Sequence, residues 1–355
     1  MTNPRTAQLR LALAALSLLA AHALAGPLAY VSNEGGGVSV VDLDRMSVVG
    51  TLDTGGQGPR GIGVSADGKF LVTANKGTSD ISLIDVASGA VVRRIPVGKN
   101  VEFMRVRGNF AYVTYEPSGP GAPPEGGGKG VDGAPAKAAS DEDLIPAEIA
   151  VVDLGAGTVV RSMKAGRETE GIEFSLDGTL MLVANEGENT VTVYDRESGA
   201  VLHKIDVAAY GSRPRGIKVS PDGSHYAVTL EFSDKVLLVD RDYHVVNSAS
   251  TRKAPYGVSF DAAGRRLYVA AARASVIQVF DATSLALLGE IPVGARCWHF
   301  ALTPDGKRLI AACGKSNTLV IADTDTLQVL KTLSGVKGPW GVVTYPRARG
   351  SIDTP

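Results

Sequence analysis

One unit of about 42 residues recurs along the chain, and this repeat constrains the fold more than any other feature. Each copy contains alternating apolar residues, an Asp-Gly turn and three further apolar runs, which predicts four short antiparallel strands. The turn glycines Gly223, Gly264 and Gly306 show the period, since they are 41 and 42 residues apart. Four strands in a repeat of this length are typical of one blade of a β-propeller.

The two ends of the chain supply complementary parts of one blade. Residues 28–33 match the second strand of the repeat, with no first strand before them. Residues 339–345 match a first strand, and a polar tail over 346–355 follows them. Pairing of these segments closes a ring and removes the open strand edges that invite aggregation. The sequence therefore predicts an all-β, seven-bladed β-propeller of four-stranded antiparallel blades over residues 26–345.

An insertion interrupts one of the repeats. Residues 117–146 are rich in Gly, Pro and Ala and lack apolar periodicity, which indicates a flexible loop. The insertion follows Glu116 at the predicted end of a second strand. It therefore emerges where second strands end and first strands begin, which we call the mouth face. There it either covers the channel as a lid or stays structureless.

The first residues have the pattern of an export signal rather than of a folded element. Arg5 and Arg10 form a basic start, an apolar run covers residues 9–21, and the Ala-Leu-Ala triplet at 23–25 fits a cleavage site. The run is short for a membrane span, although an uncleaved anchor is the alternative. We therefore expect removal of residues 1–25 and export of a monomeric protein without a membrane span.

Charge and cysteine content argue against several classes of protein. The chain has 36 Lys and Arg against 37 Asp and Glu, a formal net charge of −1. Nucleic-acid-binding proteins carry a dominant basic stripe, so nucleic acid is not the expected partner. Two cysteines are too few for a disulfide-based scaffold. The absence of a C-x-x-C-H motif excludes covalently attached c-type haem, and we expect no cofactor.

Several short motifs return from blade to blade. They are Leu-Val-Thr-Ala-Asn at 71–75, Tyr-Val-Thr-Tyr at 112–115, Leu-Val-Ala-Asn at 182–185, and Arg-Gly-Ile beginning at Arg60 and Arg215. The strand motifs resemble the YVTN family of β-propeller repeats. The Arg-Gly-Ile motifs resemble a periplasmic subgroup associated with pyrroloquinoline-quinone-dependent alcohol catabolism. This resemblance implies a periplasmic location beside a quinone-dependent oxidation system.

In a propeller, the residue that begins each inner strand lies at the mouth of the central channel. The repeat therefore gathers two arginines, two acids and three aromatics, distant in sequence, into one ring. Mixed charge with aromatic rings suits a small organic ligand, such as a carboxylate, or a partner protein bound by Arg forks and stacking. Alternatively, the ring only closes the channel. The ring residues are Arg60, Glu102, Glu170, Arg215, Tyr256, Trp298 and Trp340.

A cysteine pair and a histidine lie beside this ring. Cys297 and Cys313 flank an Asp-Gly turn almost symmetrically, so they face each other on paired strands. In an oxidising compartment they can form a disulfide. They can also remain free thiols, or ligate copper or zinc together with His299. His299 replaces the glycine that usually follows the ring position, and we count it among the candidate ligand-binding residues.

These features favour a non-catalytic, exported propeller that binds a small ligand or a periplasmic partner protein at the channel mouth. It would be an accessory to a quinone-dependent oxidation system. The first alternative is an enzyme, either a lactonase or a metal- or cofactor-dependent oxidoreductase that uses Cys297, His299 and the charged ring. The second alternative is a nucleic-acid or cell-envelope interaction module, because the aromatic residues could stack bases. An Asp that ends the third strand of every repeat is expected to be structural, since all blades share it.

Overall fold

Seven four-stranded antiparallel sheets form the blades of a propeller. The computed structural model describes residues 26–116 and 145–352, and these contain 28 strands and no α-helix. Within them, short 3₁₀ turns follow three second strands, at Glu186–Glu188, Glu231–Ser233 and Gly314–Ser316. The predicted fold class is confirmed.

The strands follow one another with short turns between them. The chain begins with β1 (Leu28–Asn33), β2 (Val38–Asp42), β3 (Ser47–Leu52), β4 (Pro59–Val64), β5 (Phe70–Asn75), β6 (Asp80–Asp85) and β7 (Val91–Pro96). It continues with β8 (Met104–Arg107), β9 (Phe110–Tyr115), β10 (Glu148–Asp153), β11 (Thr158–Lys164), β12 (Thr169–Phe174), β13 (Leu180–Asn185), β14 (Thr190–Asp195) and β15 (Val201–Asp206). Next come β16 (Pro214–Val219), β17 (His225–Leu230), β18 (Lys235–Asp240), β19 (Val245–Ser250), β20 (Pro255–Phe260), β21 (Arg266–Ala271), β22 (Val276–Asp281) and β23 (Leu287–Pro292). The last strands are β24 (Cys297–Leu302), β25 (Arg308–Cys313), β26 (Thr318–Asp323), β27 (Val329–Ser334) and β28 (Pro339–Tyr345).

Six blades consist of four consecutive strands, and the seventh joins strands from the two ends. We number the blades I (β4–β7), II (β8–β11), III (β12–β15), IV (β16–β19), V (β20–β23), VI (β24–β27) and VII (β28, β1, β2, β3). In blade VII, Leu28 lies opposite Tyr345 and Tyr30 opposite Val343 in an antiparallel ladder. The predicted closure of the ring is confirmed.

Burial falls from the inner to the outer strand of each blade. In blade III, the second strand β13 buries five of its six residues, whereas the outer strand β15 exposes five of six. The middle strands are covered on both faces because they pack between neighbouring blades. This two-sided burial explains why they read as continuous apolar runs rather than as strict alternation.

The repeated Asp at the end of each third strand bonds the turn that follows it. In blade IV, Asp240 Oδ1 accepts the amide N–H of Asp242 at 2.9 Å and that of His244 at 2.8 Å. The side chain thereby satisfies turn amides that no strand pairs. The structural role expected for this position is confirmed. The equivalent residues, each accepting at least one turn amide, are Asp42, Asp85, Asp153, Asp195, Asp281 and Asp323.

The polar tail expected after the last strand is not a surface extension over its described part, residues 346–352. It turns back into the central channel and runs along β24, where Leu302 N–H donates to Arg349 O at 2.8 Å. Ser351 and Ile352 are buried. They fit because inner-strand glycines leave room: a Cβ on Gly257 would lie 2.8 Å from Ser351 Cβ. The tail therefore belongs to the core of the propeller.

The loop that carries the predicted insertion opens at the mouth face. β9 ends at Tyr115 and β10 begins at Glu148 in the same blade. The insertion residues 117–144 and the export signal 1–25 lie outside the described residues, so both expectations remain predictions. In the described ranges, no helix is long and apolar enough to span a membrane.

Candidate functional site

The seven ring residues converge on one cavity at the mouth face. Each lies at or close to the start of an inner strand, so the blade geometry directs all seven positions to the channel mouth. Together they line a cavity of about 230 Å³, which we call the mouth pocket. Neighbouring side chains complete its lining, among them Lys76, Glu168, Arg213, Glu231 and Arg296.

Arg215 is the centre of an ion-pair cluster on blades III and IV. Its Nη1 lies 3.2 Å from Glu170 Oε2, and its Nε lies 2.5 Å from Glu186 Oε1 and 2.6 Å from Glu231 Oε2. The guanidinium also lies over the ring of Tyr256, with Cζ 4.1 Å from the ring centroid. Burial alone would lower the pKa of this arginine, but the charges of the three acids outweigh burial and keep that pKa well above the ordinary value.

Arg213 extends the cluster to a fourth carboxyl. It pairs with Glu186 and lies 3.0 Å from Glu168 Oε2. Four carboxyls therefore share two guanidiniums, and the cluster is not neutral when all four are ionised. Burial raises the pKa of Glu168 and that of Glu186 to about 7, and raises the pKa of Glu170 well above its ordinary value. Protons are thus shared within this cluster near neutral pH.

The charges on blades I and II balance differently. Glu102 Oε2 lies 2.8 Å from Arg60 Nη1, and Lys76 also pairs with Glu102. Arg60 has a second partner in Glu34. Burial alone would raise the pKa of Glu102, but the charges of Arg60 and Lys76 outweigh burial and lower that pKa to about 2. Glu102 is therefore a permanent anion, unlike the acids of blades III and IV.

Aromatic residues form the remaining wall of the mouth pocket. Trp340 is fully buried and Tyr256 nearly so, whereas Trp298 is partly exposed. The indole of Trp298 lies so close to Gly314 that a Cβ at that glycine would be only 1.9 Å from the ring. The pocket thus combines a charged side with a side on which a ring can stack.

The structure places His299 below the pocket rather than in it. The side chain is buried among the rings of Phe103, Tyr256 and Trp340, with the centroid of Trp340 4.4 Å away. His299 Nδ1 lies 2.9 Å from Ser351 Oγ of the tail. Burial lowers the pKa of His299 well below its ordinary value, so the ring is neutral. His299 therefore does not line the mouth pocket, and its expected contact with a ligand stays a prediction.

Cys297 and Cys313 form a disulfide between β24 and β25. Both sulfurs are buried beneath the mouth face. A disulfide leaves no thiolate, so the alternative metal site with His299 is incompatible with this arrangement. In the described part of the chain, no group of three or more His, Cys, Asp or Glu side chains is placed to hold a metal ion.

Sequence reasoning missed Glu168 and Arg213, which lie two positions before the ring residue of their blades. Glu168, Arg213 and Arg296 occupy that position in three blades, with φ of 50°, 60° and 55°. Gly58 and Gly338 adopt the same left-handed conformation in two other blades. The two glycines were the available sequence signal, because glycine adopts this conformation easily and a residue with a β-carbon adopts it only with strain. Charged residues retained there point to a use for their side chains.

Two family models match separate parts of the chain. A model described as "Lactonase, 7-bladed beta-propeller" matches residues 151–255. A model described as "YNCE-like beta-propeller" matches residues 20–106. Each covers less than half of the chain, so they agree on the propeller architecture without assigning the whole chain to one family. No curated protein matches the chain.

Solved structures share the fold at low sequence identity. Hydrazine synthase from Kuenenia stuttgartiensis is 21% identical, with a TM-score of 0.68, over 83% of this chain and 92% of that chain. A structure described as a "putative 6-phosphogluconolactonase" from Bacteroides uniformis is 17% identical, with a TM-score of 0.70, over 90% and 99%. A functionally unknown protein from Desulfotomaculum acetoxidans is 14% identical, with a TM-score of 0.72, over 89% and 98%. By fold, the chain is a seven-bladed β-propeller.

Proposed function

We propose that the mouth pocket binds a small cyclic ester and hydrolyses it, so that the protein acts as a lactonase. The observation that carries this proposal is Glu168, a pocket-lining carboxyl whose pKa burial raises to about 7 beside Arg213. A base that ionises near the working pH is well matched to activating water. Perturbed carboxyls gathered in a cleft are typical of catalytic sites.

The cluster can supply the three groups that lactone hydrolysis needs. The Glu168 carboxylate takes a proton from water as the hydroxide adds to the carbonyl carbon. The guanidinium of Arg213 stabilises the negative charge on the carbonyl oxygen. Glu170, whose pKa burial raises well above its ordinary value, gives its proton to the ring oxygen as the carbon–oxygen bond breaks. The product is a hydroxy acid, and the proton on Glu168 returns to Glu170 through water.

The comparisons support a lactonase through their position on the chain as well as through their names. The segment that matches the lactonase model, residues 151–255, includes all six charged residues of the cluster. The pocket is also small. At about 230 Å³ it is below the range of about 300–1,000 Å³ that is usual for drug-sized ligands. This size favours a substrate of one ring.

The non-catalytic accessory role expected from the sequence is less well supported. It relied on Arg60 and Arg215 as forks for a ligand, but carboxylates of the chain already face both guanidiniums. The proposed activity still suits a periplasmic, quinone-linked setting. Quinone-dependent oxidation of a cyclic hemiacetal yields a lactone, and a periplasmic lactonase consumes that product.

Hydrolysis of simple lactones tests the proposal. Glucono-δ-lactone and δ-valerolactone are supplied to the purified protein, and acid release is followed in a pH-stat. Replacement of the base in Glu168→Gln is expected to slow hydrolysis about 100-fold or more. Glu188→Gln is the matched control, because Glu188 pairs with Lys204 and is not among the residues of the mouth pocket. Hydrolysis no faster with the wild-type protein than with Glu168→Gln would overturn the proposal.

A further inference from the structure

Arg296 differs from the other cations of the mouth pocket, because it has no acidic partner. Among the described residues, no carboxylate oxygen lies within 4.0 Å of the Arg296 guanidinium or of that of its neighbour Arg273. The other cationic side chains that line the pocket all form ion pairs within that distance; they are Arg60, Lys76, Arg213 and Arg215.

Backbone hydrogen bonds hold these two arginines on adjoining loops of blades V and VI. Arg296 N–H donates to Ala272 O at 3.0 Å, and Gly314 N–H donates to Arg296 O at 3.0 Å. Arg273 N–H donates to Lys253 O at 3.2 Å. The backbones from which the two side chains extend are thus held on linked loops. Burial and the charges of Arg273 and Arg215 lower the pKa of Arg296, against the opposite effect of Glu231.

An arginine at position 296 carries two costs. Its φ of 55° is left-handed, and the equivalent position in blade VII is Gly338, which adopts that conformation without strain. Its charge lies near a second cation, and Glu231 acts on it only from beyond ion-pair distance. The two equivalent charged residues, Glu168 and Arg213, bear the same strain and contribute to the ion-pair cluster. A bound anion would balance the charge of Arg296.

We propose that Arg273 and Arg296 form an oxyanion-binding subsite of the mouth pocket. The subsite takes the carboxylate or phosphate group of an organic ligand whose ring lies against Trp298, two residues after Arg296. Guanidinium groups match such oxyanions through paired charge-assisted hydrogen bonds. This inference rests on the proposed function for the role of the pocket, and it specifies the substrate as a lactone that carries an acidic group.

Three sugars with the same ring test the subsite without any hydrolysis. D-Glucose, D-glucuronate and D-glucose 6-phosphate differ at one carbon, which is neutral, carboxylated or phosphorylated. Both tryptophans of the chain line the pocket, so quenching of their fluorescence reports binding. We expect at least one charged sugar to bind about tenfold or more tightly than D-glucose. The better ligand of the two identifies the acidic group.

Substitutions test whether Arg273 and Arg296 cause this preference for a charged sugar. The double variant Arg273→Gln with Arg296→Gln is expected to abolish the preference for the charged sugar. Arg273→Gln alone changes an exposed residue and is expected to reduce the preference severalfold. The single variant keeps the test valid even if the double variant does not fold. Lys253→Gln is the matched control, because Lys253 lies on the adjoining loop and already pairs with Asp234 at 2.7 Å. Its preference should equal that of the wild type.

The outcomes separate this proposal from the proposed hydrolysis, because none of the three sugars contains a lactone. Charged sugars that bind no more tightly than D-glucose, or that do not bind at all, overturn the subsite. A preference that survives in both arginine variants overturns it as well. Absence of lactone hydrolysis together with an arginine-dependent preference would overturn only the enzyme and leave an anion-binding propeller.

Discussion

The two faces of the propeller use repeated positions in opposite ways. On the face opposite the mouth, the third strand of each blade ends in Asp, and each Asp accepts hydrogen bonds from the turn that follows it. At the mouth, one equivalent position holds Arg, Glu, Tyr or Trp according to the blade. A residue type present in all blades serves the fold that all blades share. A position that differs between blades can build a single asymmetric site. Substitutions at the two ends of one blade should therefore differ in their effects on stability and on hydrolysis.

The largest expected loss of stability comes from the mouth end of blade IV. Arg215→Ala leaves Glu170, Glu186 and Glu231 without their shared cation in a buried setting. Breaking a buried ion pair costs about 3–5 kcal/mol, so we expect a decrease of that size in the free energy of unfolding, measured with urea. Arg215→Lys keeps the charge and should lose less. A decrease below about 1 kcal/mol would show that the cluster is solvated like a surface pair.

A smaller loss is expected at the opposite end of the same blade. Asp240→Ala removes the acceptor for the amides of Asp242 and His244, two hydrogen bonds at the rim of the turn. We expect a decrease of about 1 kcal/mol in the free energy of unfolding and an unchanged rate of lactone hydrolysis. If this substitution slowed hydrolysis, the claim that the turn Asp residues serve only the fold would be wrong.

The cluster should also make stability depend on pH. Burial raises the pKa of Glu186 to about 7, above its value in the unfolded chain. A group with a raised pKa contributes stability that is fully present below the unfolded pKa and is lost as the pH rises through the folded pKa. The free energy of unfolding should therefore fall as the pH rises towards 7, and Glu186→Gln should flatten this slope. An equally steep slope in Glu186→Gln would show that other groups cause it.

The repeat made the fold predictable. Six Asp-Gly-like turns, four apolar runs per copy and two complementary ends allow one closed arrangement, and equivalent positions must then meet at the channel. This reasoning identified Arg60, Glu170 and Trp298 as neighbours although they are far apart in sequence, and the structure brings them into one pocket.

Other parts of the site lay beyond sequence reasoning because they depend on local packing. Glu168 and Arg213 line the pocket from a left-handed backbone position before the ring residue. The position of His299 depends on the tail, since Ser351 Oγ lies 2.9 Å from His299 Nδ1. The balance of acids and cations around each carboxyl also depends on the folded structure. Glu102 and Glu170 occupy equivalent positions in the repeat. Two cations contact Glu102, whereas Glu170 shares the cation Arg215 with other acids.

The pH dependence of lactone hydrolysis tests the central claim most directly. If Glu168 is the base, kcat/KM must rise with pH as the carboxyl ionises, with a midpoint near its pKa of about 7. Glu168→Gln must lose this rise together with about 100-fold or more of the rate. Hydrolysis that keeps the same pH profile and the same rate in Glu168→Gln would contradict the claim that the acid cluster at the mouth is a catalytic site.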